Sequence, residues 1–344
     1  MEVIAVRSRR FLASLTSALV AATIGVPVTP AQAAVSCHEL RLPVTLAGNT
    51  EQLYGKLCRP AHATTIQVLV PGASYNSAYW DFPYTPEIRS YRLAMNKAGY
   101  ATLTLDRLGT GRSSRPASLA LTSFTQAGVV HQVIQALRAG RSGAPTFDKI
   151  ILGGHSVGSA IAIIEAGTYQ DVDGVLITGL THGINVLGAV PILTSLIPAS
   201  LDPKFRSHGY DPGYLTTRAG TRFSDFHSPG VRVPGVGETD EQTKDVFAAG
   251  EVVDTVLLGA LLPYSRKIKV PVMLVMGNDP AFCGLLAPDC STPQTLLRAE
   301  SPYYAPEAKL KTYVLRSYGH ALNFAPDAPD YHAAVATWTA SVIR

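Results

Sequence analysis

The stretch Gly154-His155-Ser156-Val157-Gly158 constrains this chain more than any other. It follows an apolar run, Ile150-Ile151-Leu152, and precedes a helix-forming one, so it reads as strand, sharp turn and helix. A turn tight enough to push a serine hydroxyl out above a sheet forces an unusual backbone angle at the serine. It also crowds the residues two before and two after, where glycine, lacking a Cβ, fits at low cost. With 29 Gly in 344 residues, the pattern arises by composition about 0.2 times per chain, so its setting has to supply the rest of the argument.

That setting is an alternation of strands and helices. Arg41 to Ala47 and Gln52 to Cys58 read as short strands and Thr65 to Val70 as a buried one. Pro86 to Ala98 suits a helix stopped by Gly99, Ala101 to Leu105 a strand, Leu121 to Ala139 a helix, Lys149 to Gly153 the strand entering the turn, and Val157 to Tyr169 the helix leaving it. Val172 to Thr178, Val270 to Met276 and Lys311 to Leu315 continue as strands, and Tyr331 to Ile343 closes the chain as a helix. Apolar strands alternating with amphipathic helices predict an α/β fold with an open, mostly parallel sheet covered on both faces. Residues 180–268 break the rhythm, with helices near 188–197 and 239–262. They are expected to form a cap or lid inserted into a core of 34–179 and 269–344.

With 47% hydrophobic and 16% charged residues the chain buries a large core and is not disordered. Arg7, Arg9 and Arg10 precede an apolar run from Phe11 to Val26, and Ala31-Gln32-Ala33 supplies a small-residue cleavage site. Residues 1–33 therefore read as an export signal for a secreted, extracellular protein. Ser8-Arg9-Arg10-Phe11-Leu12 leaves the twin-arginine route open beside the general one. Ser14, Thr16, Ser17, Thr23 and Gly25 interrupt the run and Pro27 and Pro30 follow it, which argues against a stable membrane anchor. Loss of Arg7, Arg9, Arg10 and Glu2 lowers the formal charge from +4 to about +2. No basic run remains, so nucleic acid is not an expected partner. Four cysteines, Cys37, Cys58, Cys283 and Cys290, favour disulfides in an exported chain. Three connectivities exist, and the local pairs Cys37–Cys58 and Cys283–Cys290 are expected because each closes a short loop. The spacing lacks a C-x-x-C and has no histidine cluster beside it, so neither zinc nor another metal or cofactor is expected.

A serine hydroxyl at neutral pH needs a base to take its proton and a third group to orient that base. The strand ending at Met276 leads to Gly277-Asn278-Asp279, and the strand ending at Leu315 leads to Tyr318-Gly319-His320. Parallel strands expose their carboxyl ends on one edge, so Ser156, Asp279 and His320 can converge as nucleophile, orienting acid and base. Asp289 sits in the same loop as Asp279 and is the weaker candidate for the acid. Asp106 reads as a loop-building carboxylate, and His155 as structural. The strand to Val70 ends in Pro71-Gly72-Ala73-Ser74-Tyr75. Gly72 permits close approach, which makes the backbone N–H groups of Ala73 and Val157 the candidate oxyanion donors, with Ser74 or Tyr75 as side-chain alternatives.

With Gly154-His155-Ser156-Val157-Gly158, the Asp106-Arg107-Leu108-Gly109-Thr110-Gly111-Arg112-Ser113-Ser114 segment, the Asp279 strand end and Gly319-His320, the chain resembles the α/β-hydrolase fold superfamily over roughly residues 50 to 344, close to secreted actinobacterial esterase and lipase-like members. The order Ser, Asp, His is that of this architecture. The loop after the third strand departs from the family's usual His-Gly, having Pro71 before Gly72. The resemblance implies a serine hydrolase acting on a small-molecule ester or acyl substrate through an acyl-enzyme. Leu187, Val190, Ile192, Leu193, Leu196, Ile197, Val256, Leu257 and Leu261 in the cap point to a lipophilic or neutral one. Peptidase, lactonase, thioesterase, acyltransferase and lyase chemistry share the fold, as do binding proteins without catalysis. Serine in place of a carboxylate at the turn argues against a haloalkane dehalogenase.

Overall fold

Residues buried on both sides of a sheet leave a simple sequence signature, and the strands of this protein show it. In a computed structural model that describes residues 1–3, 34–260 and 263–343, β3 (Thr65–Val70), β4 (Ala101–Asp106), β6 (Gly174–Thr178) and β10 (Val272–Gly277) are buried at every position. Such near-continuous apolar runs are what a sheet covered by helices on both faces needs. β1 (Val35–Leu46) instead alternates, with Leu40, Leu42, Val44 and Leu46 inward and their neighbours exposed, as one solvated face requires. With β2 (Asn49–Pro60), β5 (Lys149–His155) and β11 (Lys311–Leu315) these form an eight-stranded sheet of order β1-β2-β4-β3-β5-β6-β10-β11. β2 runs antiparallel to both its neighbours, and every other pairing is parallel.

The strand order sets where the site lies. From β3 the chain moves one way to β4 and then returns past β3 to β5, so the direction reverses between β3 and β5. In open α/β sheets the crevice beyond the carboxyl ends of the strands at such a reversal is where ligands bind. α3 (Ser123–Arg138) and α4 (Val157–Tyr169) pack together on one face. α1 (Pro86–Arg89), α2 (Tyr91–Lys97) and α9 (Ala328–Val342) cover the other, around Trp80, Tyr91, Tyr331 and Trp338.

Several elements differ from the sequence expectation for local reasons. The first two strands are longer than expected, at 12 residues each, and joined by a two-residue turn in which Ala47 (φ +48°) and Gly48 (φ +82°) are both left-handed. The helix expected over 86–98 is two, because Ser90 turns extended (ψ 101°) and caps the second with a 3.0 Å bond from Leu93 N. An unforeseen helix, α8 (Pro293–Glu300), starts at the cap Thr292.

Between the neighbouring strands β6 and β10 the chain builds α5 (Val186–Ser195), β7 (Leu196–Pro198), β8 (Tyr214–Thr217), α6 (Val236–Thr243), β9 (Phe247–Ala248) and α7 (Ala249–Ala260), with β7, β8 and β9 in a small separate sheet. The single helix expected over 239–262 is divided because Lys244 and Asp245 turn inward. Lys244 Nζ reaches Asp202 Oδ2 at 2.8 Å, and Asp245 Oδ2 accepts from Asn76 Nδ2 (2.8 Å) and Gly111 N (2.9 Å). The cysteines pair as expected. Cys37 and Cys58 are register partners on β1 and β2, and Cys283–Cys290 closes the loop after β10. Of the expected export signal over 1–33, residues 4–33 lie outside the described residues, as do residue 261 and the side chain of Val256. Among the described residues no helix is long and apolar enough to cross a membrane.

Candidate active site

β5 delivers Ser156 to the reversal point in a conformation that L-residues rarely adopt, φ +53° and ψ −118°. Its N–H donates to Thr178 O on β6 at 2.8 Å, which anchors the turn. The flanking glycines are required sterically. A Cβ on Gly154 would lie 2.2 Å from Gly158 O, and one on Gly158 would lie 2.3 Å from Val70 O and 2.7 Å from Pro71 O. Gly72 brings the loop after β3 close as well, its Cβ position 3.0 Å from both His155 O and Ser156 Cβ. The spacing read in the sequence thus corresponds to three backbones meeting at one point.

β10 and β11 are adjacent and parallel, so the loops after them emerge side by side. His320 Nδ1 lies 2.6 Å from Asp279 Oδ2, with both side chains buried. The other oxygen of Asp279 accepts from Ala281 N at 2.9 Å. A carboxylate can only accept, so Nδ1 is the donor in this contact. The His320 loop is held from outside by the inserted segment: Gly319 N donates to His227 O (3.1 Å) and Ala321 N to Phe226 O (2.8 Å). Phe282 stacks on the His320 ring at 5.5 Å between centroids and Phe226 lies at 5.7 Å, and the ring is buried.

The structure therefore brings Asp279 and His320 into contact and sets Ser156 on the same edge of the sheet. Among the described residues no hydrogen bond joins Ser156 Oγ to His320. The N–H groups of Ala73 and Val157 find no acceptor among the described residues either; Val157 is the first residue of α4, where helix amides are free by construction. Asp289 is exposed and accepts from Ser291 N, away from His320. Asp106 accepts from Ser77 N and Arg112 N and builds its loop. Ser74 Oγ accepts from Arg222 Nη1 at 3.0 Å, and the buried Tyr75 hydroxyl has no described partner.

Sequence and geometry converge on one family. A model of the alpha/beta hydrolase family matches residues 67–333. The chain belongs to the alpha/beta hydrolase family. Solved structures of similar fold include a carboxyl esterase from Bacillus coagulans in complex with glycerol (14% identity, 90% of this chain and 99% of that one, TM-score 0.57). They also include a lipase in an open form (14%, 90% and 99%, TM-score 0.55) and a bacterial membrane phospholipase A (15%, 90% and 87%, TM-score 0.55). No curated protein matches the chain.

Two features of this alpha/beta hydrolase escaped the sequence reading. Arg107 is buried, and its Nη1 donates to Pro71 O (2.9 Å) and Gly72 O (2.6 Å), clamping the loop that carries Ala73. Its charge is met by Glu251 of α7, with Nε to Oε1 at 2.9 Å. Arg107 lies in the Asp106–Ser114 segment, but its partner lies 144 residues away in the inserted segment, and no local pattern links them. The second is α5. Gly188 approaches Pro280 O so closely that a Cβ would sit 1.7 Å from it, and Asn185 bonds Pro280 O and Ala281 O, so this helix is seated on the Asp279 loop.

Proposed function

We propose that this protein is an exported serine hydrolase that cleaves lipophilic or neutral carboxylic esters through an acyl-enzyme. The observation that carries the reading is the buried 2.6 Å Asp279–His320 contact on the sheet edge that also presents Ser156. Ser156 Oγ attacks the ester carbonyl while His320 Nε2 takes its proton. Asp279 holds the Nδ1–H tautomer and stabilises the imidazolium. The Ala73 and Val157 N–H groups receive the oxyanion, fixed in advance by the Arg107 clamp and by α4. His320 then returns the proton to the leaving alcohol, and a water repeats the sequence to release the acid. Serine–histidine bonds are often long before substrate binds, so an unformed bond in the free protein fits this role.

Residues 180–268 act as the cap in this reading. Leu187, Val190 and Leu193 are exposed along one face of α5, directly beside the Asp279 loop. An apolar face at that place suits an acyl chain better than a charged substrate. The names of the similar solved proteins, an esterase and a lipase, support the same class. The basic, apolar start of the chain and the two disulfides support export.

A fluorophosphonate probe should label Ser156, and hydrolysis of p-nitrophenyl esters should fall by about 10⁴-fold or more in Ser156→Ala. A variant that still hydrolysed esters at the wild-type rate would end the mechanism. Folded wild-type protein that formed no Ser156 adduct would point to a binding protein instead. A panel of esters of graded length, lactones and peptides then separates esterase from the other chemistries of the fold.

A further inference from the structure

On the face of the molecule formed by α3 and α4, three side chains converge that the hydrolase reading does not use. His131 of α3, Glu165 of α4 and Asp171 just beyond α4 offer one nitrogen and carboxylate oxygens that all lie within 4.8 Å of one another. Glu165 is fully buried, and neither of its oxygens has a hydrogen-bond partner among the described residues. The same is true of Asp171 Oδ1. Leaving buried carboxylate oxygens unpaired costs more than almost any other polar defect, so an arrangement of three in one place calls for a counter-charge.

The neighbouring cations do not supply it. Arg138 and Lys149 are drawn to Asp173, at 2.6 and 3.0 Å. His131 Nδ1 faces Asp171 Oδ2 at 2.8 Å and Glu165 Oε1 at 3.8 Å, and one imidazole is shared between two carboxyl groups. The ring is held in its plane by stacking on Tyr169, 3.8 Å between centroids and 9° between planes. Gln135 Nε2 fixes Asp171 through a 2.6 Å bond to Oδ2. Such supports orient ligands as metal sites require. His131 and Asp171 are partly exposed, which leaves a route inward to Glu165.

We propose that His131, Glu165 and Asp171 form a site for a divalent transition-metal cation of the zinc class. An imidazole with two carboxylates suits zinc better than calcium, which takes oxygen ligands alone. Bonds of about 2.0–2.2 Å separate tetrahedral ligands by roughly 3.4 Å, a value that lies between the 2.8 Å from His131 Nδ1 to Asp171 Oδ2 and the 3.8 Å from His131 Nδ1 to Glu165 Oε1. The fourth position belongs to water. Two carboxylates balance the two positive charges. The ion would join α3, α4 and the turn into β6. Because α4 begins at Val157, it would brace the helix on which Ser156 is mounted.

The test uses the full-length, tag-free exported protein with zinc and calcium chloride as probes. Wild-type protein dialysed against 10 µM Zn²⁺, a concentration on the order of the affinity a structural site must exceed, should retain about one zinc per chain. Its Tm should rise by roughly 5 °C over the chelator-treated form. Glu165→Gln preserves shape but removes a ligand charge. Its zinc affinity should fall by more than roughly 100-fold, since even outer supports of a metal site are worth 10–100-fold. Asp171→Asn, at a more exposed position, should do the same and serves if the first variant does not fold. Wild-type protein without zinc, Glu165→Gln that binds zinc as the wild type does, or a Tm raised by Ca²⁺ and not by Zn²⁺ would each overturn the assignment. Zinc bound instead at the histidine of the active site would survive both substitutions.

Discussion

The rings of His155 and His320 lie 4.7 Å apart between centroids, at 50°, beneath the edge of the sheet that presents Ser156. His155 is completely buried, stacks on Tyr79 at 4.1 Å, and shares Nδ1 with the Tyr79 and Thr178 hydroxyls, each at 3.1 Å. Burial, and then the charge that His320 gains, hold its pKa well below the ordinary histidine value. His155 therefore stays neutral and packs, and the proposed mechanism gives the proton exchange to His320 alone.

Replacing His155 with phenylalanine tests this division. Phe keeps the stack on Tyr79 and the wall beside His320, so kcat should stay within about tenfold of wild type. The acid limb of the pH–rate profile should not move. A shift of that limb by a pH unit or more would mean that His155 shares the proton.

The disulfides should separate stability from activity. Cys37–Cys58 staples β1 to β2, far from Ser156, and closes a separation of 21 residues. Changing both to serine should cost about 3 kcal/mol by loop entropy and leave kcat unchanged. Cys283–Cys290 closes a separation of 7 residues beginning four positions after Asp279. Its loss should cost about 2–3 kcal/mol and should also lower kcat, because Asp279 O accepts from Cys283 N and the loop orients the acid. Denaturation midpoints together with kcat on one ester decide the matter; equal kcat for the two double variants would contradict it.

His332 should make the fold acid-sensitive. It is buried against Tyr91 and Tyr331 with Nε2 3.0 Å from Asn323 Oδ1, and desolvation lowers its pKa to about 3. Above the unfolded value of about 6.5 both states are neutral and the group is silent. Below it the unfolded chain binds a proton that the folded one refuses, so stability falls with pH down to the folded value. At pH 4.5 the loss from this group is about 3 kcal/mol. Urea denaturation of His332→Gln at pH 7 and 4.5 should show a pH dependence smaller by that amount.

The legible parts of the sequence were those governed by local rules. Strands buried on both faces read as apolar runs, and Ser156, Asp279 and His320 stood out because each follows the end of a strand. The break at Ser90 and the division at Lys244-Asp245 were not legible. Serine is a weak helix breaker until its hydroxyl finds an amide, and Asp245 turns inward only because Asn76 and Gly111 wait there. Helix α8 had its signal, Thr292 before Pro293, and was passed over.

Arg107 joins the loop carrying Ala73 to the inserted segment, and that makes it the residue whose loss should be felt in both stability and rate. Glu251 is fully buried and also accepts from Gln126 Nε2 (3.0 Å) and Ala248 N (2.8 Å), so Arg107→Met leaves a buried carboxylate with neutral donors only. Breaking one side of such a pair costs about 3–5 kcal/mol, whereas replacing both sides costs far less. Arg107→Met with Glu251→Met should accordingly be more stable than Arg107→Met alone. Stability restored in this way does not restore the clamp, because the Pro71 and Gly72 carbonyls still lack their donor. At a temperature where both variants are folded, kcat should remain down by about 100-fold, with KM little changed, as for loss of one oxyanion donor. Recovery of kcat in the double variant would show that Arg107 acts on stability alone.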